Sequence, residues 1–496
     1  MPVENGPLER GLAVLRAIGG HQGSRLRRAD LARLTGLARS PIDRITDTLL
    51  HLGLLRAEGP DLLPAPRLLT FGHAYLDGTG FVAPLRPLLA ELSERLDESV
   101  SLAVPDVGGV RLLAQSARRR AVYLAFHVGG LLPEDRTAAG VVLAAGWEHE
   151  QFEEWAAARA ADPLDHGYPA VPPLRQPLPQ RRLTFQRRTA RAWDLGWSLD
   201  EEWVEPGLLA LAAPVRGRGQ LGAVSVLSHT SRHTPETFRE TVLPVLLEAV
   251  REMEARLAQP DPPAAPPPAP VVPAKDEPGT EFVAALARGL AVLGAFRAGG
   301  LTVAAAARAT GLPRATARRA LLTLHETGYA TEDEGVFHLL PSVLDLGYAK
   351  LSALTLPELL DPHLAELAAA TGEPVAAAVL DGADLRCAAV VGTGRVVRLD
   401  LAVGSRRPAA DSALGRAMLA GRDWAEVDAE LPDGVRCLAV PVPGGVPLAS
   451  ADLARGGGPL ALAVLPTGPA PTEEVLTQLR AVAARVEADL RLTGGF

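Results

Sequence analysis

The chain says nearly the same thing twice, and no other feature limits its fold as strongly. Leu8-Glu9-Arg10-Gly11-Leu12-Ala13-Val14-Leu15 returns as Leu286-Ala287-Arg288-Gly289-Leu290-Ala291-Val292-Leu293, 278 positions later. Leu34-Thr35-Gly36-Leu37-Ala38-Arg39-Ser40 is answered by Ala309-Thr310-Gly311-Leu312-Pro313-Arg314-Ala315 at an offset of 275, which then holds for Gly53 with Gly328, Pro66 with Pro341 and Gly72 with Gly347. Solenoid repeats recur every 20–50 residues or so. A period this long is a duplicated protein, so whatever one half does can be done twice or divided.

Gln259 to Glu277 reads QPDPPAAPPPAPVVPAKDE and separates the copies. A Pro/Ala run leans to polyproline II, and at ~3.1 Å per residue it could reach about 60 Å. The 496 residues leave room for three or four domains of roughly 100–200 residues each. Hydrophobic content of 47% with only 4% aromatics predicts cores of Ala, Leu and Val. A net charge of −8 excludes a polycation that coats nucleic acid, but not a local basic face. Cys387 and Cys437 are the only cysteines, too few for a disulfide framework or a thiolate zinc cluster. Met1 to Gly20 lacks the apolar stretch of a secretory signal, and no run of ~20 apolar residues is present to span a bilayer. The expectation is a cytoplasmic protein without membrane contact and without a cofactor.

Each copy opens with a helical block. Leu12, Leu15 and Ile18 share one face of a helix over 8–18, and a short helix follows over 28–34. Thr35-Gly36-Leu37 reads as a turn; Ser40 reads as an N-cap with Pro41 at the first helical position. That third helix runs to about Leu52, with Ile42, Ile45 and Leu49 inward, and Gly53 ends it. Leu54 to Pro66 reads as a hairpin turning at Glu58-Gly59-Pro60-Asp61. Copy two repeats the scheme, with a helix over 312–328 and a hairpin turning at Asp333-Glu334-Gly335. Three helices and a β-hairpin describe a winged helix-turn-helix. A connector helix follows each block, over 81–96 and 356–370. Paired strand signals beginning at Ser99 and Val375 then suggest an α+β domain on an antiparallel sheet.

These motifs resemble the IclR-type bacterial transcriptional regulators. The carrying residues are R-G-L-A-V-L in the first helix, T-G-L-x-R-[SA] before the third, and the L-x-x-G step into the wing. Val403 to Pro408, Ser412 to Ala420 and Gly434 to Val442 resemble the family's effector domain. The resemblance implies an α+β chain of two winged helix-turn-helix domains and two GAF-like α/β effector domains, the second truncated. The domains would be 1–78, 79–258, a linker at 259–279, 280–352 and 353–496.

It further implies that the third helices enter the major groove of double-stranded DNA through Arg39, Ser40, Asp43 and Arg44, and through Arg314, Ala315, Thr316, Arg318 and Arg319. Arg reads guanine bidentately, and the first turns of such a helix reach base edges. A lone Arg is more often a solvated helix face; the helix-turn-helix context reverses those odds. Asp43 and Asp47 would weaken the first helix for phosphate, whereas the second carries no acid before Glu326. Copy two is therefore expected to bind more strongly, although Glu332, Asp333 and Glu334 in its wing work against this.

By the same resemblance, a small-molecule effector, a small organic acid or aromatic metabolite, would contact Gly129, Gly130, Thr137, Asp200, Ala210 and Ser225 in copy one, and Gly404, Ser405 and Cys437 in copy two. Copy two has only about a dozen residues between Gly421 and Gly434, where copy one has about sixty between Gly146 and Gly207. It also has Ala463 at the serine position. Copy one is thus the expected sensor.

Cys387 and Cys437 have no neighbouring His in sequence and read as small buried residues. His149, His166, His229 and His233 lack metal spacing; Gly456-Gly457-Gly458 lacks a phosphate-loop context; Glu153-Glu154 reads as a solvated face. Nothing points to an enzyme. The competing reading is a protein-interaction scaffold with degenerate sensor domains and one working DNA-binding unit. The likeness of the two first helices predicts that they pair inside one chain as a pseudo-twofold, with unequal half-sites; further assembly into a homo-oligomer is left open by the sequence.

Overall fold

The computed structural model describes residues 6–21, 23, 25–118, 126–260, 282–297, 299–392, 402–419, 425–427, 437–446, 458–466 and 472–493. The Pro-rich linker beyond Pro260, Ala420, Gly434 to Arg436 and Gly456-Gly457 lie outside the described residues. The chain divides into two compact units, one ending at Ser352 and one beginning at Ala353.

The first unit opens with α1 (Pro7–Gly20), α2 (Arg28–Thr35) and α3 (Arg39–His51). Leu8, Leu12, Leu15 and Ile18 are buried along α1 at helical spacing. Gly36 ends α2 at φ +70° and Gly53 follows α3 at φ +68°, conformations that carry little cost only for glycine. Ser40 is not the N-cap. The helix begins at Arg39, with Ala38 at the cap position and no side-chain cap bond. The first four N–H groups of a helix are unpaired anyway, so Pro41 is tolerated anywhere in that turn and does not fix the start. The wing is β1 (Leu55–Glu58) paired with β2 (Asp61–Pro64). Between wing and connector the chain adds α4 (Leu69–Gly78), which the sequence reading did not separate out; α5 (Val82–Leu96) is the connector.

The first effector domain runs β3 (Ser99–Asp106), β4 (Gly109–Ser116), β5 (Leu131–Leu132), α6 (Ala138–Leu143), α7 (His149–Ala161), α8 (Leu178–Leu195), β6 (Ser198–Glu201), β7 (Leu208–Gly217), β8 (Gln220–His229) and α9 (Pro235–Leu257). The sheet order is β5-β4-β3-β8-β7-β6 and every pairing is antiparallel. The helices α6, α7 and α8 cover one face through Val141, Trp155 and Phe185, packed on Ala103, Ala210, Ala212 and Ala223. The paired helices α5 and α9 cover the other.

The second winged domain has α10 (Ala284–Leu293), β9 (Leu301–Thr302), α11 (Val303–Thr310), α12 (Arg314–Glu326), β10 (Ala330–Asp333) and β11 (Val336–Leu339). The short helix α13 (Tyr348–Ser352) closes the unit. The inward set of α12 is Ala317, Ala320, Leu321 and Leu324, as the spacing predicts. The two winged domains pack on each other within this unit. A Cβ on Gly11 would lie 2.2 Å from Leu286 Cδ1, and one on Gly289 would lie 2.6 Å from Leu8 Cδ1. Each first helix thus lowers a leucine onto the glycine of the other, a reciprocal contact with pseudo-twofold symmetry. Around it, the rings of His73 and Tyr348, equivalent positions of the two copies, stand 5.8 Å apart. The Val283 N–H donates to the Thr48 hydroxyl at 2.9 Å.

The second unit contains α14 (Leu356–Thr371), β12 (Val375–Asp381), β13 (Asp384–Val391), β14 (Arg406–Pro408), α15 (Ala413–Leu419), β15 (Ala425–Val427), β16 (Cys437–Val446), β17 (Gly458–Val464) and α16 (Thr472–Thr493). Its sheet order, β14-β13-β12-β17-β16-β15, repeats that of the first. Alternation divides its core cleanly. Val375, Ala377 and Val379 join α14 and α16 on one face, while Ala376 and Ala378 join α15 on the other.

Candidate DNA-reading helices and effector face

The two third helices present different charge to solvent. On α3, Arg39, Ser40 and Arg44 are exposed, but Asp43 and Asp47 are engaged by Arg28 of α2. The Arg28 guanidinium reaches Asp43 Oδ1 at 3.3 Å, and its bond to Asp47, followed by those to Asp43, raises its pKa against the opposing effect of burial. Arg39 stands 3.9 Å from Asp43. Asp43 therefore ties α2 to α3. On α12, Arg314, Ala315, Arg318 and Arg319 are exposed and Thr316 is half-buried. No carboxylate among the described residues pairs with any of those three arginines. Val303 occupies the position of Arg28, so among the described residues no ion pair of that kind joins α11 to α12. The wings differ in the same way. Glu58 and Asp61 are met by Arg25 and Arg27, whereas Glu332, Asp333 and Glu334 stand exposed.

In the first effector domain the strand register gathers part of the expected set. Asp200 pairs with Ala210, and Ser225 pairs with both Ala212 and Ser101. Directly paired residues share a face, and this is the face covered by α6. Thr137 caps α6 by accepting the Gly140 N–H at 3.0 Å. Asp200 accepts the Trp203 N–H at Oδ1, 2.7 Å away, while Oδ2 is buried without a hydrogen-bond partner. Burial pushes the Asp200 carboxyl up to about 7 against that N–H bond and the attraction of Arg188 and Arg136.

Sequence reasoning missed what surrounds this face. Arg136 donates to Asp165 at 3.0 Å and to the Val204 carbonyl at 2.9 Å. Arg159 and Arg181 also meet Asp165, at 3.2 and 2.9 Å, and Arg181 binds both oxygens of Asp135. Glu134 beside them is pushed up to about 7 by burial. The available signal was the run Glu134-Asp135-Arg136, a short turn just before the apolar helix α6, with Arg181 and Arg188 one heptad apart on α8.

Gly129 and Gly130 do not join this face. Gly129 donates to, and Gly130 accepts from, the backbone of Leu112 on β4. They lie in line with β5, five strand spacings from Asp200 on β6, or roughly 24 Å at ~4.8 Å each. Gly129 has φ +88°, and a Cβ there would lie 2.9 Å from Tyr348 and 3.1 Å from the Ala349 nitrogen. It is a close-approach glycine where the second winged domain leans on the first effector domain. Arg111 fastens that contact. Buried on β4, it holds Asp106 at 2.6 Å, the Gly129 carbonyl at 2.8 Å and Asp345, just after the second wing, at 2.7 Å. The Ser352 hydroxyl adds a bond to the Val128 carbonyl at 2.9 Å.

In the second unit the same register positions are apolar. Ala376, Ala439 and Ala463 stand where Ser101, Ala212 and Ser225 stand in the first. Gly404 and Ser405 bond the Cys387 backbone, as Gly129 and Gly130 bond Leu112. Cys437 is buried on the α15 face and burial pushes its thiol up to about 12, which excludes a thiolate at neutral pH. Glu153 lies exposed and is bound by Arg182, so that acid is a solvated ion pair.

Two models for known families match the chain, each of them twice. The IclR helix-turn-helix domain matches residues 7–59 and 285–334; the bacterial transcriptional regulator IclR C-terminal domain matches 73–255 and 348–436. The chain belongs to the IclR family. It is a tandem IclR-type transcriptional regulator, with DNA-binding helix-turn-helix domains and effector domains in alternation. Among IclR relatives, the Pca regulon regulatory protein of Pseudomonas putida is 34% identical over 254 residues, covering 50% of this chain and 82% of that protein. The transcriptional repressor IclR of Escherichia coli is 29% identical over 240 residues, 47% of this chain and 83% of its own length. A solved IclR family regulator from Brucella abortus is 20% identical, covers 50% of this chain and 91% of its own, and superposes with a TM-score of 0.42. No helix among the described residues is long and apolar enough to cross a membrane.

Proposed function

We propose that this IclR-family regulator works in the cytoplasm and responds to a small organic acid held on the α6 face of its first effector domain. The observation that carries this reading is Asp200: a buried carboxyl with one oxygen unpartnered, in the field of Arg188 and Arg136. A buried polar atom without a partner is costly, and a ligand that supplies one gains that energy. With its pKa near 7, Asp200 can keep a proton to donate to an incoming carboxylate, while the arginines meet its charge. The names of relatives support the class: one is a Pca regulon regulatory protein and another a p-hydroxybenzoate hydroxylase transcriptional activator. Among the described residues of copy two, Ala376, Ala439 and Ala463 stand on the matching face.

An effector acts only through its different affinity for two arrangements. The contact through Arg111, Asp345 and Gly129 supplies the route: the first effector domain is fastened to the second winged domain, which carries the unpaired arginines. Sensing by copy one thus reaches DNA reading by copy two. Isothermal titration of the full chain with 4-hydroxybenzoate and related acids, read beside operator binding, tests this. Asp200→Ala and Ser225→Leu should weaken the response while Cys437→Ala keeps it. A response lost with Cys437→Ala and kept with Asp200→Ala would reverse the assignment.

A further inference from the structure

Beyond the face lined by Asp200, we propose that the first effector domain carries a second, surface-open site for an aromatic carboxylate at its edge strand β6. A cavity of about 240 Å³ opens there, walled by Arg188 and Arg191 of α8, Arg239 of α9, Trp197, Trp203 and Glu201. Strand alternation turns the two carboxylates apart, Asp200 under α6 and Glu201 outward, with Arg188 and Trp203 bordering both faces.

The charge in this cavity is unbalanced. Three guanidiniums face one carboxylate, and among the described residues none of the three has a salt-bridge partner. Among the described residues Arg188 donates only to the Asp135 carbonyl, at 3.3 Å, and it lies over the Trp203 ring at 3.4 Å. It is half-buried, and its pKa is lowered by lost solvation, which the more distant charges of Asp200, Asp135 and Glu201 offset only in part. A guanidinium fork matches a planar carboxylate in two parallel hydrogen bonds, which selects that anion shape. The two half-exposed indoles select the rest of the ligand. Aromatic rings offset-stack at little cost, and a cavity of about 150 Å³ already holds one benzene ring. A benzoate-sized anion therefore fits, with its ring on tryptophan and its carboxylate on arginine. Bound there, it would join α8 and α9, which cover opposite faces of the sheet, across the exposed edge.

The test is titration of the full chain with benzoate, followed by calorimetry and by quenching of tryptophan emission. The expected result is that Arg191→Ala combined with Arg239→Ala weakens this binding at least tenfold, while Asp200→Asn leaves it unchanged. Trp197→Leu should remove most of the quenching. Acetate, which has the carboxylate but no ring, should bind at least tenfold more weakly. Both arginines are at the surface, so thermal melts of the double variant should overlay the parent. Trp197-dependent quenching by benzoate that survives the double substitution would overturn the site, because binding on the Asp200 face does not involve that indole. Acetate or inorganic phosphate binding as tightly as benzoate would overturn its aromatic character. Loss of benzoate binding in Asp200→Asn alone would assign the ligand to the inner face instead, so failure here is distinguishable from failure of the sensing face.

Discussion

The reciprocal leucine–glycine contact between α1 and α10 makes a quantitative demand. Replacing Gly11 by Ala puts a methyl 2.2 Å from Leu286 Cδ1 and 2.9 Å from Cδ2, and Leu286 is fully buried. Overpacking of this kind costs ~1–3 kcal/mol, and the better helix propensity of Ala returns at most about 1. Gly11→Ala alone should therefore cost up to ~2 kcal/mol. Leu286→Ala alone opens a cavity and should cost ~2–5 kcal/mol. Combined, the new methyl enters space the leucine has left. The double variant should be more stable than the sum of the singles by ~1–3 kcal/mol, a coupling expected for residues in contact. None of the six tryptophans lies in a winged domain, so intrinsic fluorescence would miss the effect. Native-state hydrogen exchange of the α1 and α10 amides reads it directly. Strict additivity would refute the packing of these helices in one chain.

Three further outcomes follow from the charges. Arg314→Ala and Arg318→Ala should each cost operator affinity about 1–3 kcal/mol if they read a base. Arg39→Ala and Arg44→Ala should cost less, and equal losses in filter binding at several salt concentrations would refute the asymmetry. Asp200 and Glu134 both have native pKa values raised to about 7. Between about pH 4 and 7 the folded state binds more protons than the unfolded one, so their contribution falls as pH rises through that window. Urea melts at pH 5.5 and 8 should show Asp200→Asn gaining stability relative to the parent at the higher pH; a gain at the lower pH would refute the sign. Asp345→Asn should uncouple effector from operator binding and leave effector affinity intact, whereas Arg111→Met should also destabilise the fold, because Asp106 then loses its buried partner.

The helices of both winged blocks, the wings, the connectors and the first strand pair of each sheet were legible because each rests on local spacing: Leu12, Leu15 and Ile18 in α1, and the strand signals after Ser99 and Val375. The register even reproduces the match of Ser225 with Ala463. What escaped depends on partners far apart in the chain. Arg181 meets Asp135 across 46 positions and Arg111 meets Asp345 across 234, and no periodicity announces such pairs. Gly129 belongs with these long-range cases. The resemblance implies an effector contact there, but its need for a bare backbone is set by Tyr348. Ser40 misled because its cap chemistry is sound in isolation, and the chain begins the helix one residue earlier.

In a twofold dimer of identical subunits every substitution strikes both sides of the interface at once. Here Leu8 sits on Gly289 and Leu286 on Gly11 within a single polypeptide. Each half of the contact can therefore change alone, compensated by its mate on the other copy. The same holds for what lies beyond the interface. Arg111 has found an acid at Asp345, while its counterpart Arg386 has a buried nitrogen without a partner, and Thr70 stands where Asp345 would be. Fusion has released the two copies from mirroring each other, and a target sequence read by this protein need not be a palindrome.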